Sequence, residues 1–300
     1  MSLIEYIYMK NLLTSIATVY RPLQLLILLS LFQSSMAAEP IVIDDSAMTR
    51  DLGKKIGELV DGEKTTGAKE LIEQLSRKTT ALALTKPSDK VCDDIYNDCV
   101  DSVGIIASVF KCEKCDKWHR SGCATCWILR EDGVMVTNYH VFANAEHSGW
   151  GVLLRDGRVC PVKEVLAADK AADIAIFRVE GEGFNALKLG EPQKVGGEVH
   201  IIAHPDSRFF TYTAGLVSRY YTARSSKSAK TIWMAVTAEF ARGSSGGPVL
   251  DECGNVVGMV ANTQSIYYPK KKKSDLRGPF QMVIRNCVRV AGIQKLIEAK

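Results

Sequence analysis

The hexapeptide Gly243-Ser244-Ser245-Gly246-Gly247-Pro248 is the stretch of this chain best suited to nucleophilic chemistry. A glycine two residues before Ser245, and Gly-Gly-Pro after it, let the backbone turn sharply around one side chain. The Ser245 hydroxyl is then presented outward. The amides of Gly243 and Ser245 can converge on one point, as a nucleophile over an oxyanion hole requires. The bland alternative is a plain Gly-Ser turn. A nucleophilic serine needs a base, and His140 stands at the end of the apolar run that begins at Val136. A lone histidine there is more often structural. A third group must orient the base, and Asp173 opens the apolar run Ala172–Phe177. A carboxylate beside such a run is costly to bury unless it is hydrogen-bonded, and a histidine N–H would satisfy it. The three occur in the order His, Asp, Ser. Asp169 is the rival carboxylate; it precedes Lys170 rather than an apolar strand, so it reads as a surface residue.

A second constellation is Cys112-x2-Cys115-x7-Cys123-x2-Cys126, with His119 inside it. Tetrahedral zinc takes four N or S ligands at about 2.0–2.3 Å, and two Cys-x2-Cys knuckles at a hairpin end can converge that way. Cys112, Cys115, His119 and Cys123 form a second candidate set. Two cross-strand disulfides, such as Cys112–Cys126 and Cys115–Cys123, are the alternative favoured by export, and free thiols are a third. In each case the role is structural, and the only cofactor the chain suggests is this zinc. The odd number of cysteines, nine, leaves at least one without an intramolecular partner.

These groups need a scaffold. Residues 39 to about 100 show helical spacing, with Leu52, Ile56, Leu59 and Val60 on one face over 49–60, and Ala68, Leu71, Ile72 and Leu75 over 67–76. A third short helix is expected over 93–100. It would set Cys92 and Cys99 two turns apart, about 10 Å along the axis and too far for a disulfide. From Val103 the texture changes to short apolar or alternating runs: 104–110, 126–130, 134–137, 152–155, 174–179, 199–203, 211–217, 232–237, 256–261 and 281–284. Asp132-Gly133 and Asp156-Gly157 are hairpin signals between them. Such spacing predicts an all-β sandwich or barrel, with 180–191 linking two β halves. Residues 287–299 return to a helical pattern through Val288, Ala291, Ile293 and Leu296.

The chain has 300 residues, 46% hydrophobic and 24% charged, an ordinary globular balance that excludes full disorder and a multi-span membrane protein. Its 38 Lys+Arg against 34 Asp+Glu give +4, too small an excess to point to nucleic acid. The charge run Lys270–Lys273 reads as a solvated loop. Leu23–Phe32 is a ten-residue apolar run behind Lys10 and Arg21, followed by small residues at Ser34–Ala38. That is the layout of a secretory signal peptide, cut near Ala37/Ala38. The run is short of the ~20 apolar residues that span a bilayer, so no stable insertion is expected after cleavage; an uncleaved anchor is the alternative.

With these motifs in place, the chain resembles the trypsin/chymotrypsin-like serine proteases of the compact bacterial kind, related to the HtrA type. The resemblance rests on T-N-Y-H-V at 137–141, D-I-A at 173–175 and G-S-S-G-G-P at 243–248. It covers about residues 101–290, including the strand–hairpin–strand from Cys123 to Val141. It implies an all-β core of two six-stranded antiparallel β-barrels with the active site between them. Here that core would carry an N-terminal helical extension and a C-terminal helix. The implied division is a signal peptide at 1–37, the extension at 38–100 and the protease domain at 101–300. It implies Ser245 as nucleophile, His140 as base then acid, Asp173 as its orienting partner, and the amides of Gly243 and Ser245 as the oxyanion hole. The implied function is a secreted or periplasmic endopeptidase acting on proteins or peptides, with no cofactor in the chemistry. A catalytically silent binding protein on the same fold is the alternative. The primary pocket would have Glu239 at its base and Ala261, Asn262 and Thr263 as its wall, so that a P1 Lys or Arg would suit it, unless Arg242 neutralised Glu239. Two departures matter. Cys126 stands where many relatives have glycine, and Ser244 stands where digestive-type enzymes carry the aspartate that pairs with a freed N-terminus. No PDZ-like domain is expected after the protease region.

Overall fold

The computed structural model describes residues 41–143, 146–222, 231–269 and 277–299. The expected signal peptide and the lysines at 270–273 lie outside the described residues. The chain divides into Met1–Val42 and Ile43–Lys300, and every helix and strand named below lies in the second of these units.

Two closed antiparallel barrels of six strands each form its core. In the first, β2 (Val103–Lys111), β3 (Trp118–Ile128), β4 (Val134–Thr137), β7 (Ile174–Val179), β6 (Val159–Asp169) and β5 (Gly149–Leu154) follow one another around the wall. In the second the order is β8 (Glu198–Ala203), β9 (Thr211–Thr222), β10 (Ile232–Val236), β13 (Phe280–Arg289), β12 (Val256–Tyr267) and β11 (Pro248–Leu250). Closure removes the sheet edges that open β-structures must protect. The two glycine turns fall where Asx-Gly predicts them. Gly133 (φ 83°) and Gly157 (φ 87°) take left-handed conformations between β3 and β4 and between β5 and β6. Ile106, Met135, Phe142, Trp150 and Phe177 fill the first barrel, and Val199, Ile201, Met234, Val249 and Cys287 the second.

Ahead of the barrels, α1 (Asp45–Asp61), α2 (Ala68–Gln74), β1 (Thr80–Leu82) and α3 (Ile95–Cys99) wrap the outside. Leu52, Ile56 and Leu71 are fully buried, so the apolar helix faces are covered by barrel wall. Gly53 and Gly57 let α1 lie close. A Cβ on Gly57 would stand 2.4 Å from the Trp118 ring of β3. Thr65 then ties the segment down, its hydroxyl reaching the carbonyls of Trp150 at 2.7 Å and Val162 at 3.0 Å.

Two expectations need correction. The helical pattern at 287–299 is mostly not helix: Cys287–Arg289 complete β13, α4 covers only Val290–Gln294, and β14 (Ile297–Ala299) pairs in parallel with β1. The α3 helix starts at Ile95 with Asp94 as its cap, so Cys92 lies outside it. The two sulfurs do not stand two turns apart: a Cβ on Gly254 would meet Cys99 Sγ at 2.9 Å and Cys92 Sγ at 3.1 Å.

Candidate active site

The Ser245 loop is clamped between the barrels by its own glycines. Gly246 (φ 87°) lies so close to β3 that a Cβ there would stand 2.0 Å from the Thr125 carbonyl oxygen. Gly243 (φ 95°) is equally tight, 2.4 Å from the His204 carbonyl by the same measure. No L side chain fits either position, which is why the hexapeptide is glycine-rich. Thr125 of β3 holds the loop from the other side: its N–H donates to the Ser245 carbonyl at 2.8 Å and its hydroxyl to the Gly243 carbonyl at 3.0 Å. The Ser245 Oγ donates to the Ala261 carbonyl of β12 at 3.2 Å.

His140 sits in a short 3₁₀ turn, Tyr139–Val141, directly after β4. Asp173 precedes β7, the strand paired with β4, so the register delivers the two to each other. The Asp173 Oδ2 lies 2.9 Å from the His140 Nδ1, and its Oδ1 also accepts the His140 backbone N–H at 3.0 Å. Asp173 adopts φ 58°, a left-handed conformation that a short polar side chain tolerates. The buried Asn138 supports it, its Nδ2 donating to the Asp173 carbonyl at 2.9 Å. The carboxylate fixes Nδ1 as the protonated ring nitrogen and leaves Nε2 as an acceptor. His140, Gly243 and Ser245 all line one cleft of about 210 Å³, walled by β3 residues Ser121 to Ala124. Asp169 is elsewhere, its Oδ1 accepting the Ala171 and Ala172 amides at 2.8 and 3.1 Å in a turn.

The 242–243 peptide has a defined orientation. The Asp206 N–H donates to the Arg242 carbonyl at 2.6 Å. In a trans peptide the carbonyl and the next N–H point opposite ways, so the Gly243 N–H is turned away from Asp206. Asp206 (φ 50°) and Ser207 (φ 61°) make the tight backbone bend that supplies this bond, a contact with no signature in the sequence.

Glu239 is not a desolvated carboxylate. Its side chain is 78% exposed, and its Oε1 lies 2.7 Å from the Arg285 Nη2, whose side chain is only 18% exposed. Arg285, not Arg242, is its partner. Asn262 and Thr263 are exposed on β12, with Arg285 directly opposite Thr263 on β13. Ala261 is buried. Arg285 escaped the sequence because its proximity depends on the β12–β13 register, which no local pattern encodes.

Of the five candidate metal ligands, three meet. Cys112, Cys115 and His119 bring their ligand atoms within 4.8 Å of one another. Cys123 and Cys126 do not join them. Cys126 lies opposite Gly104 and Cys123 opposite Ala107, well down the β2–β3 ladder from the hairpin tip. Eight residues of strand separate Gly104 from Cys112, about 26 Å at ~3.3 Å per residue, which also excludes a Cys112–Cys126 disulfide. Cys115–Cys123 fails on the same grounds, four residues or ~13 Å of strand away. All nine cysteines are unbridged. Cys126 is fully buried, and burial pushes its thiol well above the ordinary range. Its bulk is accommodated because Gly104 is the residue across the strand pair, where a Cβ would stand 3.2 Å from the Cys126 sulfur.

Comparison with known proteins agrees with this architecture. Residues 124–259 match the family model described as trypsin-like peptidase domain. The mitochondrial serine protease HTRA2 of Drosophila pseudoobscura pseudoobscura is 28% identical over 138 residues, 44% of this chain and 32% of its own length. The Drosophila grimshawi protein of the same name is 25% identical over 205 residues, 64% of this chain and 46% of its own. This chain therefore spans between about a third and a half of these relatives. Among solved structures, the HtrA-type protease AlgW with tripeptide superposes with a TM-score of 0.52 at 20% identity, covering 67% of this chain and 60% of that one. At that identity the likeness is one of fold. Residues 124–259 thus resemble a trypsin-like peptidase domain in sequence, and the two-barrel fold resembles that of the HtrA-type proteases.

Proposed function

We propose that the chain is a serine endopeptidase that cleaves peptide bonds through an acyl-enzyme on Ser245. The observation that carries this is the His140–Asp173 pair at 2.9 Å opening onto the same cleft as Ser245. His140 Nε2 takes the Ser245 proton as the hydroxyl oxygen attacks the scissile carbonyl, and later gives it to the leaving amine. Asp173 keeps the ring in the tautomer that leaves Nε2 free and stabilises the imidazolium. To engage Nε2, the Ser245 hydroxyl must release the Ala261 carbonyl by rotating about χ1, a staggered step of low cost. The Gly243 and Ser245 amides receive the oxyanion, and the Asp206–Arg242 bond favours the required direction of the Gly243 N–H.

The same proposal makes 38–100 an extension of the protease domain, 1–37 a signal peptide and the mature protein periplasmic or secreted. None of the helices among the described residues is long and apolar enough to cross a membrane. Peptides are the proposed substrates; the AlgW structure carries a tripeptide. A preference for basic P1 residues is not included, because Arg285 already neutralises Glu239. A silent binding protein on the same fold is the competing function.

A fluorophosphonate probe tests the proposal. Wild type should label at one serine per chain, and Ser245→Ala should not label. Peptidase activity should fall on the order of 10⁶-fold in Ser245→Ala or His140→Ala, and about 10⁴-fold in Asp173→Asn. Absence of labelling in a folded wild-type protein would assign it to the silent class. Loss of activity in Asp169→Asn with Asp173→Asn unaffected would overturn the choice of carboxylate.

A further inference from the structure

The β2–β3 hairpin ends in Cys112-Glu113-Lys114-Cys115-Asp116-Lys117-Trp118-His119, and the peptidase chemistry uses none of these side chains. The loop is shaped to hold its two sulfurs together. The Cys112 N–H donates to the Lys117 carbonyl at 3.0 Å, and the Asp116 N–H donates to the Cys112 carbonyl at 2.9 Å. Asp116 closes the turn with φ 51°. His119 brings its Nε2 to 3.0 Å from the Cys115 Sγ. The Phe110 ring stacks on that imidazole, centroids 5.7 Å apart, and sets its plane.

We propose that Cys112, Cys115 and His119 bind a zinc-class divalent ion at the hairpin tip, with a fourth position open to water. Ligand atoms about 2.0–2.3 Å from a tetrahedral ion stand roughly 3.3–3.8 Å apart, a spacing that the three atoms reach with small side-chain rotations. Two sulfurs and an imidazole select a borderline-soft ion over magnesium or calcium. The charges balance. Each thiol releases a proton on binding, the two thiolates cancel the double positive charge, the imidazole binds neutral, and nothing is oxidised or reduced. A Cys112–Cys115 disulfide is the competing state, and it would leave the aligned His119 ring without a role.

The ion would act as a clamp. Beyond His119, β3 runs directly to Ser121–Ala124, the wall of the cleft that holds His140 and Ser245. Between them Trp118 lies on Gly57 of α1 and its indole N–H donates to Asp61 at 2.8 Å. Fixing the tip therefore fixes the outer end of a strand whose inner end shapes the cleft.

The test uses the full chain, reduced and stripped with chelator, then titrated with Zn²⁺ or Co²⁺ alone. The expected result is one equivalent of zinc per chain by elemental analysis, and thiolate-to-cobalt charge-transfer absorption in the cobalt form. Cys115→Ser and His119→Ala should each weaken binding at least about tenfold, His119→Cys should restore it, and Cys123→Ser should leave it unchanged. Bound zinc should also slow cleavage by added trypsin after Lys114 and Lys117 by roughly tenfold, since proteolysis there tracks local opening. Circular dichroism on each variant separates lost binding from lost fold. Sub-stoichiometric zinc, a cobalt spectrum without sulfur charge transfer, or full binding by Cys115→Ser overturns the site. A Cys112–Cys115 disulfide that forms as readily with zinc present as without it overturns it too.

Discussion

Glu239 and Arg285 are 46 residues apart in the chain and 2.7 Å apart in the fold. A P1 lysine or arginine gains from a lone carboxylate, but in a pocket with Glu239 at its base, which the resemblance implies, it would have to displace the guanidinium of Arg285. Arg285 lies on the same face of β13 as Cys287, two residues on, which is fully buried in the second barrel. That face turns the arginine toward the barrel end and away from bulk water. A P1-varied peptide library should therefore show no advantage for Lys or Arg over uncharged residues of similar length. Arg285→Ala frees Glu239 and should raise cleavage after basic residues roughly tenfold, a gain discounted for the exposure of the carboxylate. A strong basic preference in wild type, unchanged by Arg285→Ala, would count against this pair as the determinant. The contrast with the Ser245 loop shows what was legible at this scale. Gly243, Ser245 and Gly246 declare themselves because the strained turn restricts neighbouring positions to glycine. The proximity of Cys112, Cys115 and His119 was legible for the same local reason, since all three share one turn. The exclusion of Cys123 and Cys126 was not, because it depends on how far β3 runs before the hairpin closes.

At the scale of elements, strands that alternate cleanly and pair evenly were readable. Val134–Thr137 and Ile174–Val179 have the bounds their apolar runs predict. β6 (Val159–Asp169) leaves no alternating signal in the sequence, and its register explains why. It slips between Val162 and Glu164 and again between Val165 and Ala167, so inward residues do not alternate. β1 and β14 are three residues each and pair across most of the chain length, which leaves no periodic signal. The 287–299 segment is ambiguous in sequence because short apolar runs fit a helix and a strand equally well. The apolar spacing of Leu52 and Ile56 does mark the buried face of α1. Leu52 and Ile56 are fully buried against the barrel, with Ile56 under Gly151 of β5. Leu52→Ala should cost about 2–5 kcal/mol by chemical denaturation, as a buried leucine does. Leu84→Ala, at a residue 40% exposed, should stay within about 0.5 kcal/mol. Truncation to residue 101 should give insoluble protein, because the surface under Leu52, Ile56 and Leu71 would face water. A soluble, more active product would instead identify 39–100 as an inhibitory segment.

Across the whole molecule, the two barrels are joined by a neutral histidine, and this makes stability depend on pH. His204 follows β8 of the second barrel and is fully buried. Its Nδ1 accepts the Phe210 N–H at 3.0 Å, so its Nε2–H donates to the Gly104 carbonyl of β2, in the first barrel, at 3.1 Å. A protonated ring would turn Nδ1 into a donor facing another donor. Burial pushes the folded pKa down from 6.5 to about 4, with the Gly104 and Ala203 backbone bonds opposing. Between those values the unfolded chain binds more protons than the folded one, so stability rises with pH. The His204 contribution is complete above pH 6.5, is lost as pH falls toward 4, and amounts to roughly 3 kcal/mol. His200 and His147 are also held below their usual value, mainly by burial, and add to the same slope. The carboxylates lowered by hydrogen bonds and ion pairs, among them Asp132 and Glu180, act in the same direction but at lower pH. Denaturation midpoints measured between pH 6.5 and 5 therefore isolate the histidines. A clear fall is expected there for wild type and a shallower one for His204→Asn, which keeps a donor near Gly104 but cannot take a proton. The His204 carbonyl also packs against Gly243, where a Cβ would come within 2.4 Å, so the seam that acid weakens is the one on which the Ser245 loop rests. A stability profile flat from pH 7 to 4.5, or equal slopes in both proteins, would remove His204 as the group that joins pH to the barrel interface.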